Sequence, residues 1–95
     1  MDAISIKLNK NQEVNGLEEI LGPLPVFKRI GSLYWNWSSG CGDVIVIAYK
    51  SINSIEISAS NYSGILQKRM FKVLKRIKNH YSNCRVEYNK DFRWG

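Results

Sequence analysis

The chain has 95 residues, of which 44% are hydrophobic and 23% charged, and this is the composition of one ordinary globular domain covering residues 1–95. The longest apolar run, Val44 to Tyr49, is far too short to span a bilayer, and no secretion leader opens the sequence. We therefore expect a cytoplasmic protein with no membrane partner.

The first part of the chain predicts one strand and one short helix. Apolar and polar residues alternate from Ala3 to Leu8, which is the period of a strand. From Asn11 to Leu21 the apolar residues recur at helical spacing instead. Asn11 is a suitable N-cap for that helix, and Gly22-Pro23 would end it.

The middle of the chain predicts three strands. The first covers Val26 to Trp37 and places both of its tryptophans on the side of Leu33. A glycine-containing turn over 38–43 leads to Val44–Tyr49, which is apolar on both faces and typical of a central strand. The third strand, Ser54–Ala59, alternates and is expected to be half exposed.

The strongest periodic signal predicts a long amphipathic helix that starts after Ser60 or Asn61 and ends near His80 to Asn83. At about 100° per residue, its apolar stripe is about 120° wide. The stripe contains Tyr62, Leu66, Met70, Val73, Leu74, Ile77 and Tyr81. The opposite arc carries Lys68, Arg69, Lys72, Lys75, Arg76 and Lys78, with Ile65 and Phe71 set among them.

The segment Cys84–Tyr88 is expected to form the last strand. The element order β-α-β-β-β-α-β predicts an α+β fold in a single domain. It consists of a mostly antiparallel sheet of about five strands, packed by the long basic helix and one short helix. A right-handed crossover through the long helix would place the last strand parallel to its partner.

The positive charge is concentrated in the last third of the sequence. Residues 1–60 hold five basic and six acidic side chains, for a net charge of −1, whereas residues 61–95 hold nine basic and two acidic ones, for a net charge of +7. Such asymmetry indicates an anionic partner. The residues expected to bind it are Lys68, Arg69, Lys72, Lys75, Arg76 and Lys78 together with Tyr34, Arg93 and Trp94.

The tryptophans of the first predicted middle strand allow two interpretations. Trp35 and Trp37 are residues of the kind that anchor protein interfaces. They also share a predicted face with Leu33, which favours a place in the core. The sequence leaves both interpretations open.

Motifs for cofactors and metals are missing. Gly40-Cys41-Gly42 precedes a strand, whereas a phosphate-binding loop opens a helix. Cys41, Cys84 and the lone His80 do not supply the close-spaced ligands that zinc requires. We expect two reduced thiols, no metal and no small-molecule cofactor.

One enzyme hypothesis is open, namely metal-free RNA cleavage. This reaction needs a general base, a general acid and a cation beside the phosphate. His80, Glu56, Tyr88 and Arg85 are the candidate residues. It is a minor alternative, because the sequence shows no spacing that brings them together.

The favoured hypothesis is a non-enzymatic inhibitor that neutralises a partner by docking on its functional site. A small bacterial or phage protein of the immunity, antitoxin or anti-defence type, acting on an acidic toxin or effector surface, fits these features. The alternative is a basic nucleic-acid-binding domain that contacts the RNA or DNA backbone through the Lys68–Lys78 helix. The order α-β-β-β-α over residues 11–81 resembles double-stranded RNA-binding domains. The lysine-rich motif of those domains is absent at Asn61–Gln67, so that family is not assigned.

Overall fold

The computed structural model describes residues 3–9, 12, 14, 17–61 and 63–88. In this part of the chain the elements are β1 (Ala3–Leu8), α1 (Leu17–Leu21), β2 (Lys28–Gly31), β3 (Tyr34–Ser39), β4 (Gly42–Tyr49), β5 (Ser54–Ala59), α2 (Gly64–His80) and β6 (Cys84–Tyr88). A 3-10 turn, Lys50–Ile52, joins β4 to β5. The predicted α+β class is confirmed, with six strands instead of about five.

The six strands form one sheet in the order β2-β3-β4-β5-β1-β6. Every neighbouring pair is antiparallel, including β1 with β6. The expectation that the last strand is parallel to its partner is therefore wrong. β5 and β6 do run parallel to each other across the α2 connection, but β1 lies between them and hydrogen-bonds to both.

The predicted strand Val26–Trp37 is a hairpin of two strands, β2 and β3. Ser32 and Leu33 form the turn, and the register shifts between Arg29 and Gly31. Gly31 and Ser32 favour a chain reversal at this point. The prediction of a single strand came from Leu33, Trp35 and Trp37, which lie at alternate positions. The extra strand in the observed order comes from this hairpin.

Helix α1 is shorter than the segment Asn11–Leu21 predicted as a helix. Gln12 and Val14 lie outside the helix, while Asn11, the expected N-cap, is not among the described residues. The amide Nδ2 of Asn53 donates to the carbonyl oxygens of Asn9 (2.8 Å) and Gln12 (2.9 Å). These bonds hold Asn9 and Gln12 against the β4–β5 turn.

Both helices cover the same face of the sheet, and the core lies between the two layers. Eleven of its residues are 0% exposed: Ile4, Ile6, Leu21, Val44, Val46, Ile55, Ile57, Leu66, Met70, Val73 and Ile77. Burying each of these side chains contributes about 1.5–3 kcal/mol relative to exposure. The apolar stripe predicted for the long helix is confirmed by the four of these residues that belong to α2, while Tyr62 is outside the described residues.

The tryptophans belong to the core layer. Trp35 is 5% exposed, and Trp37 is partly buried with its ring centroid 5.5 Å from that of Phe27. Cys84 packs against the core from β6, whereas Cys41 is exposed in the β3–β4 turn, and both are free thiols. Among the described residues no helix has the length and apolar character needed to cross a membrane.

Candidate functional site on helix α2

Helix α2 holds the basic residues of the site in one fixed orientation. Ser63 caps its start, because the Ser63 side chain accepts a hydrogen bond from the backbone N–H of Ile65 at 3.2 Å. The apolar side of the helix is anchored in the core, so the opposite side faces outward. No acidic residue occurs in the 17 residues of α2, so the helix supplies no carboxylate to its own cations.

Four lysines project from the outer side of α2, and we call them the lysine face: Lys68, Lys72, Lys75 and Lys78. All four are exposed. They follow one another at three- and four-residue steps, which places them in a strip along the helix about 15 Å long and about 120° wide. The strip is a continuous positive surface.

The lysine face is not compensated by carboxylates in the described part of the chain. The ion pairs there join Arg29 to Glu18 at 3.3 Å and Arg85 to Glu87 at 2.9 Å. Neither pair involves α2. Within the described residues, none of the four ammonium groups has a carboxylate partner.

Arg69, one of the six predicted binding cations, turns toward the protein. Its guanidinium carbon lies 4.6 Å from the ring centroid of Trp37. Its NH1 group donates to the hydroxyl of Ser39 at 2.7 Å. That hydroxyl in turn donates to the carbonyl oxygen of Gly42 at 2.9 Å, so Arg69 helps fasten α2 to the β3–β4 turn.

Arg76 also stabilises the fold. Its Nε and NH2 groups both donate to the carbonyl oxygen of Ile20 at 3.2 Å, which ties α2 to α1. At about 100° per residue, Arg69 and Arg76 lie roughly 80–100° around the helix from Lys68, at the border of the apolar stripe. Lys78 lies about 80° from Lys68 on the other side of the helix, so angular position alone does not separate the arginines from the lysines, and the contacts with Ser39, Trp37 and Ile20 do.

Apolar side chains accompany the lysine face. Ile65 is 50% exposed and Phe71 is 37% exposed. A shallow depression of about 230 Å³ beside the helix is lined by Phe71, Leu74, Lys75, Lys78 and Asn79. The site thus combines positive charge at its rim with an apolar floor.

The predicted binding residue Tyr34 does not join this surface. Tyr34 alternates along β3 with the buried Trp35, so it belongs to the face of the sheet away from the helices, which we call the open face. Arg93 and Trp94 lie outside the described residues.

The four residues considered for RNA cleavage are divided between the two faces of the sheet. His80 ends α2, with its ring centroid 4.7 Å from that of Tyr81, and Tyr88 shares the helix-covered side with Phe71. Glu56 and Arg85 alternate with core residues and belong to the open face. Because the sheet separates the two pairs, they do not form one site.

No family model, curated protein or solved structure matches this chain. The described residues also contain no group of three or more His, Cys, Asp or Glu side chains placed to hold a metal ion.

Proposed function

We propose that the protein is a non-enzymatic inhibitor that docks the lysine face of α2 on an acidic surface of a partner protein and covers its functional site. Immunity, antitoxin and anti-defence proteins act in this way. The observation that carries the proposal is the strip of four exposed lysines without a carboxylate partner in the described chain. A charged strip held on a rigid helix steers an oppositely charged protein and sets its orientation.

The apolar residues beside the lysines favour a protein over other anions. Protein interfaces join an apolar centre to a polar rim, and a few aromatic or aliphatic anchors provide much of the affinity. Ile65 and Phe71 are exposed next to the lysines, and the depression between Phe71 and Lys78 can take an apolar side chain. The expected partner surface therefore carries several carboxylates around an apolar residue.

Nucleic-acid binding is the second candidate function. The lysine face extends about 15 Å, and a nucleic-acid strand presents one phosphate per about 3.4 Å of duplex axis, so the strip could follow several phosphates. The arginines count against this candidate. Arg69 and Arg76, whose planar guanidinium groups suit phosphate best, are bonded within the fold.

The test compares two triple variants with equal loss of charge. In the first, Lys68, Lys72 and Lys75 are replaced by Gln. In the second, Lys7, Lys28 and Lys50, which lie outside α2, are replaced by Gln as the matched control. Each tagged variant and the wild type is used to capture partners from cells of the source organism, with and without nuclease treatment.

The proposal predicts one stoichiometric protein captured by the wild type and the control but lost with the α2 variant, independent of nuclease. Chemical crosslinks should place acidic residues of that protein against α2. Capture of nuclease-sensitive nucleic acid alone, with log-linear loss of binding as salt rises, would favour the second candidate. A protein that the α2 variant retains would contradict docking through the lysine face.

A further inference from the structure

Strand β6 ends the sheet, and within the described ranges no strand pairs with its outer edge. The backbone groups at such an edge can pair with another strand. β6 is a five-residue strand, Cys84–Tyr88, without glycine or proline. The opposite edge strand, β2, has four residues and a register shift, which makes it a poorer template.

The charges on β6 are self-complementary. Arg85 and Glu87 belong to the open face, on either side of Val86, and their side chains form an ion pair at 2.9 Å. If two copies of β6 run antiparallel about Val86, Arg85 of each copy lies directly opposite Glu87 of the other. Moving the centre of pairing to Arg85 or to Glu87 loses both of these contacts and places two like charges opposite each other.

We propose that the protein forms a two-fold dimer by antiparallel pairing of β6 with β6 of a second copy, centred on Val86. The two sheets then continue as one. The four charges form two opposed pairs side by side across the junction, and opposite charges in directly opposed positions stabilise a strand pair.

The neighbouring strand gives Arg85 a further reason to accept a second carboxylate. Within one chain Arg85 pairs directly with Lys7 of β1, and like charges in opposed positions are destabilising. Its own Glu87 is the one carboxylate that contacts it among the described residues. In the dimer each Arg85 lies between two Glu87 side chains, which offsets the repulsion from Lys7.

The lysine faces do not oppose this arrangement. Helix α2 packs over β4 and β5, and β1 and β6 lie between β5 and the dimer axis. With strands about 4.8 Å apart, a helix over the middle of β4 and β5 lies about 14 Å from the dimer axis, so the two helices are separated by roughly 29 Å, well beyond the screening length of about 8 Å at physiological salt. Both lysine faces end on the same side of the joined sheet.

The experiment is sedimentation equilibrium of the full chain and two charge reversals, Arg85→Glu and Glu87→Arg, from about 1 μM to about 1 mM, where small interfaces associate. The wild type should dimerise. Each reversal places like charges opposite each other and should raise the dimer dissociation constant at least about tenfold. A 1:1 mixture of the two reversals should restore association, since a strand with two glutamates then faces a strand with two arginines.

The matched control is Lys50→Glu, which changes the net charge as much as Arg85→Glu does but lies in the 3-10 turn. It should dimerise like the wild type. Circular dichroism checks that each variant is folded, which is expected because both substituted side chains are largely solvent-exposed, at 74% for Arg85 and 46% for Glu87. A monomeric wild type at every concentration, reversals that dimerise normally, or folded reversals whose mixture stays monomeric would each overturn the proposal.

Discussion

The guanidinium of Arg69 stacks over the indole ring of Trp37, with 4.6 Å between its central carbon and the ring centroid. This contact joins the long helix to the sheet at a partly buried position. The basic residues of α2 therefore have two roles. Its arginines hold the layers of the fold together, and its lysines face outward.

The stacking predicts that Arg69 is required for stability while its neighbour Lys68 is not. Arg69→Met should lower the free energy of unfolding by about 1–2 kcal/mol, because the cation–π contact and the hydrogen bond to Ser39 are lost. Lys68→Met should change it by less than about 0.5 kcal/mol. Urea unfolding followed by tryptophan fluorescence measures both, and equal effects of the two substitutions would contradict the assignment.

The β3–β4 turn requires glycine at position 42 but not at position 40. Gly42 has φ +125°, and a Cβ there would lie 2.6 Å from both Asn61 Nδ2 and Ser60 Oγ. Gly42→Ala should therefore cost about 2 kcal/mol or more. A Cβ at Gly40 meets nothing within 4 Å, so Gly40→Ala is the matched control and should stay within about 0.5 kcal/mol. Thermal unfolding that ranks the two variants in the opposite order would refute this reasoning.

Asn53 combines a left-handed backbone with two side-chain hydrogen bonds. Its φ is 49° and its ψ is 52°, and its amide binds the carbonyls of Asn9 and Gln12. Asn53→Gly keeps the backbone conformation accessible and should cost about 1–2 kcal/mol through the lost bonds. Asn53→Ala should cost about 1 kcal/mol more, because alanine is also strained there. Denaturant titration of the two variants separates the loss of the hydrogen bonds from the strain of the left-handed backbone. Equal losses of unfolding free energy in Asn53→Gly and Asn53→Ala would show that alanine is not strained at this position.

The lysine face is expected to favour binding at some cost in stability. Lys72 lies four residues from both Lys68 and Arg76. The substitution Lys72→Glu therefore replaces a repulsive pair by an attractive pair with each of these two residues. The free energy of unfolding should rise by a few tenths of a kcal/mol per pair, while affinity for the acidic partner should fall. Lys50→Glu, outside α2, should leave partner binding unchanged. A Lys72→Glu variant that loses stability would argue that this lysine supports the fold.

Much of the fold could be predicted from the sequence, because periodicity reports which residues face the core. The strands Ala3–Leu8, Ser54–Ala59 and Cys84–Tyr88 have the predicted bounds, and the long helix has the predicted type. Two details were wrong: the helix is capped by Ser63 instead of Ser60 or Asn61, and Ser54–Ala59, expected to be half exposed, is buried at every position except Glu56. The turn at Ser32 was missed because Leu33, which belongs to the turn, lies on the same predicted strand face as Trp35 and Trp37. The orientation of the last strand relative to its partner was predicted wrongly, because pairing between distant strands is set by tertiary packing and leaves no local pattern.

The candidate site was predicted in part. The long helix and its lysines were found because charge and spacing are local properties. The inward turn of Arg69 and Arg76 depends on Trp37 and on the carbonyl of Ile20, which other elements place beside the helix. A helical projection can mark these two arginines as borderline, but it cannot show what they touch.

The position of β1 has a consequence for synthesis. This strand leaves the ribosome early, yet its neighbours in the sheet are β5 and β6, so Ile4 pairs with Ile57 on one side and with Tyr88 on the other. Until β5 and β6 have been translated, β1 has no strand to pair with, and its apolar side chains are exposed to water. The sheet is completed only when β5 and β6, which are distant in sequence, pair with β1. We therefore expect this pairing to be a late step of folding, with the apolar side chains of β1 open to aggregation until then.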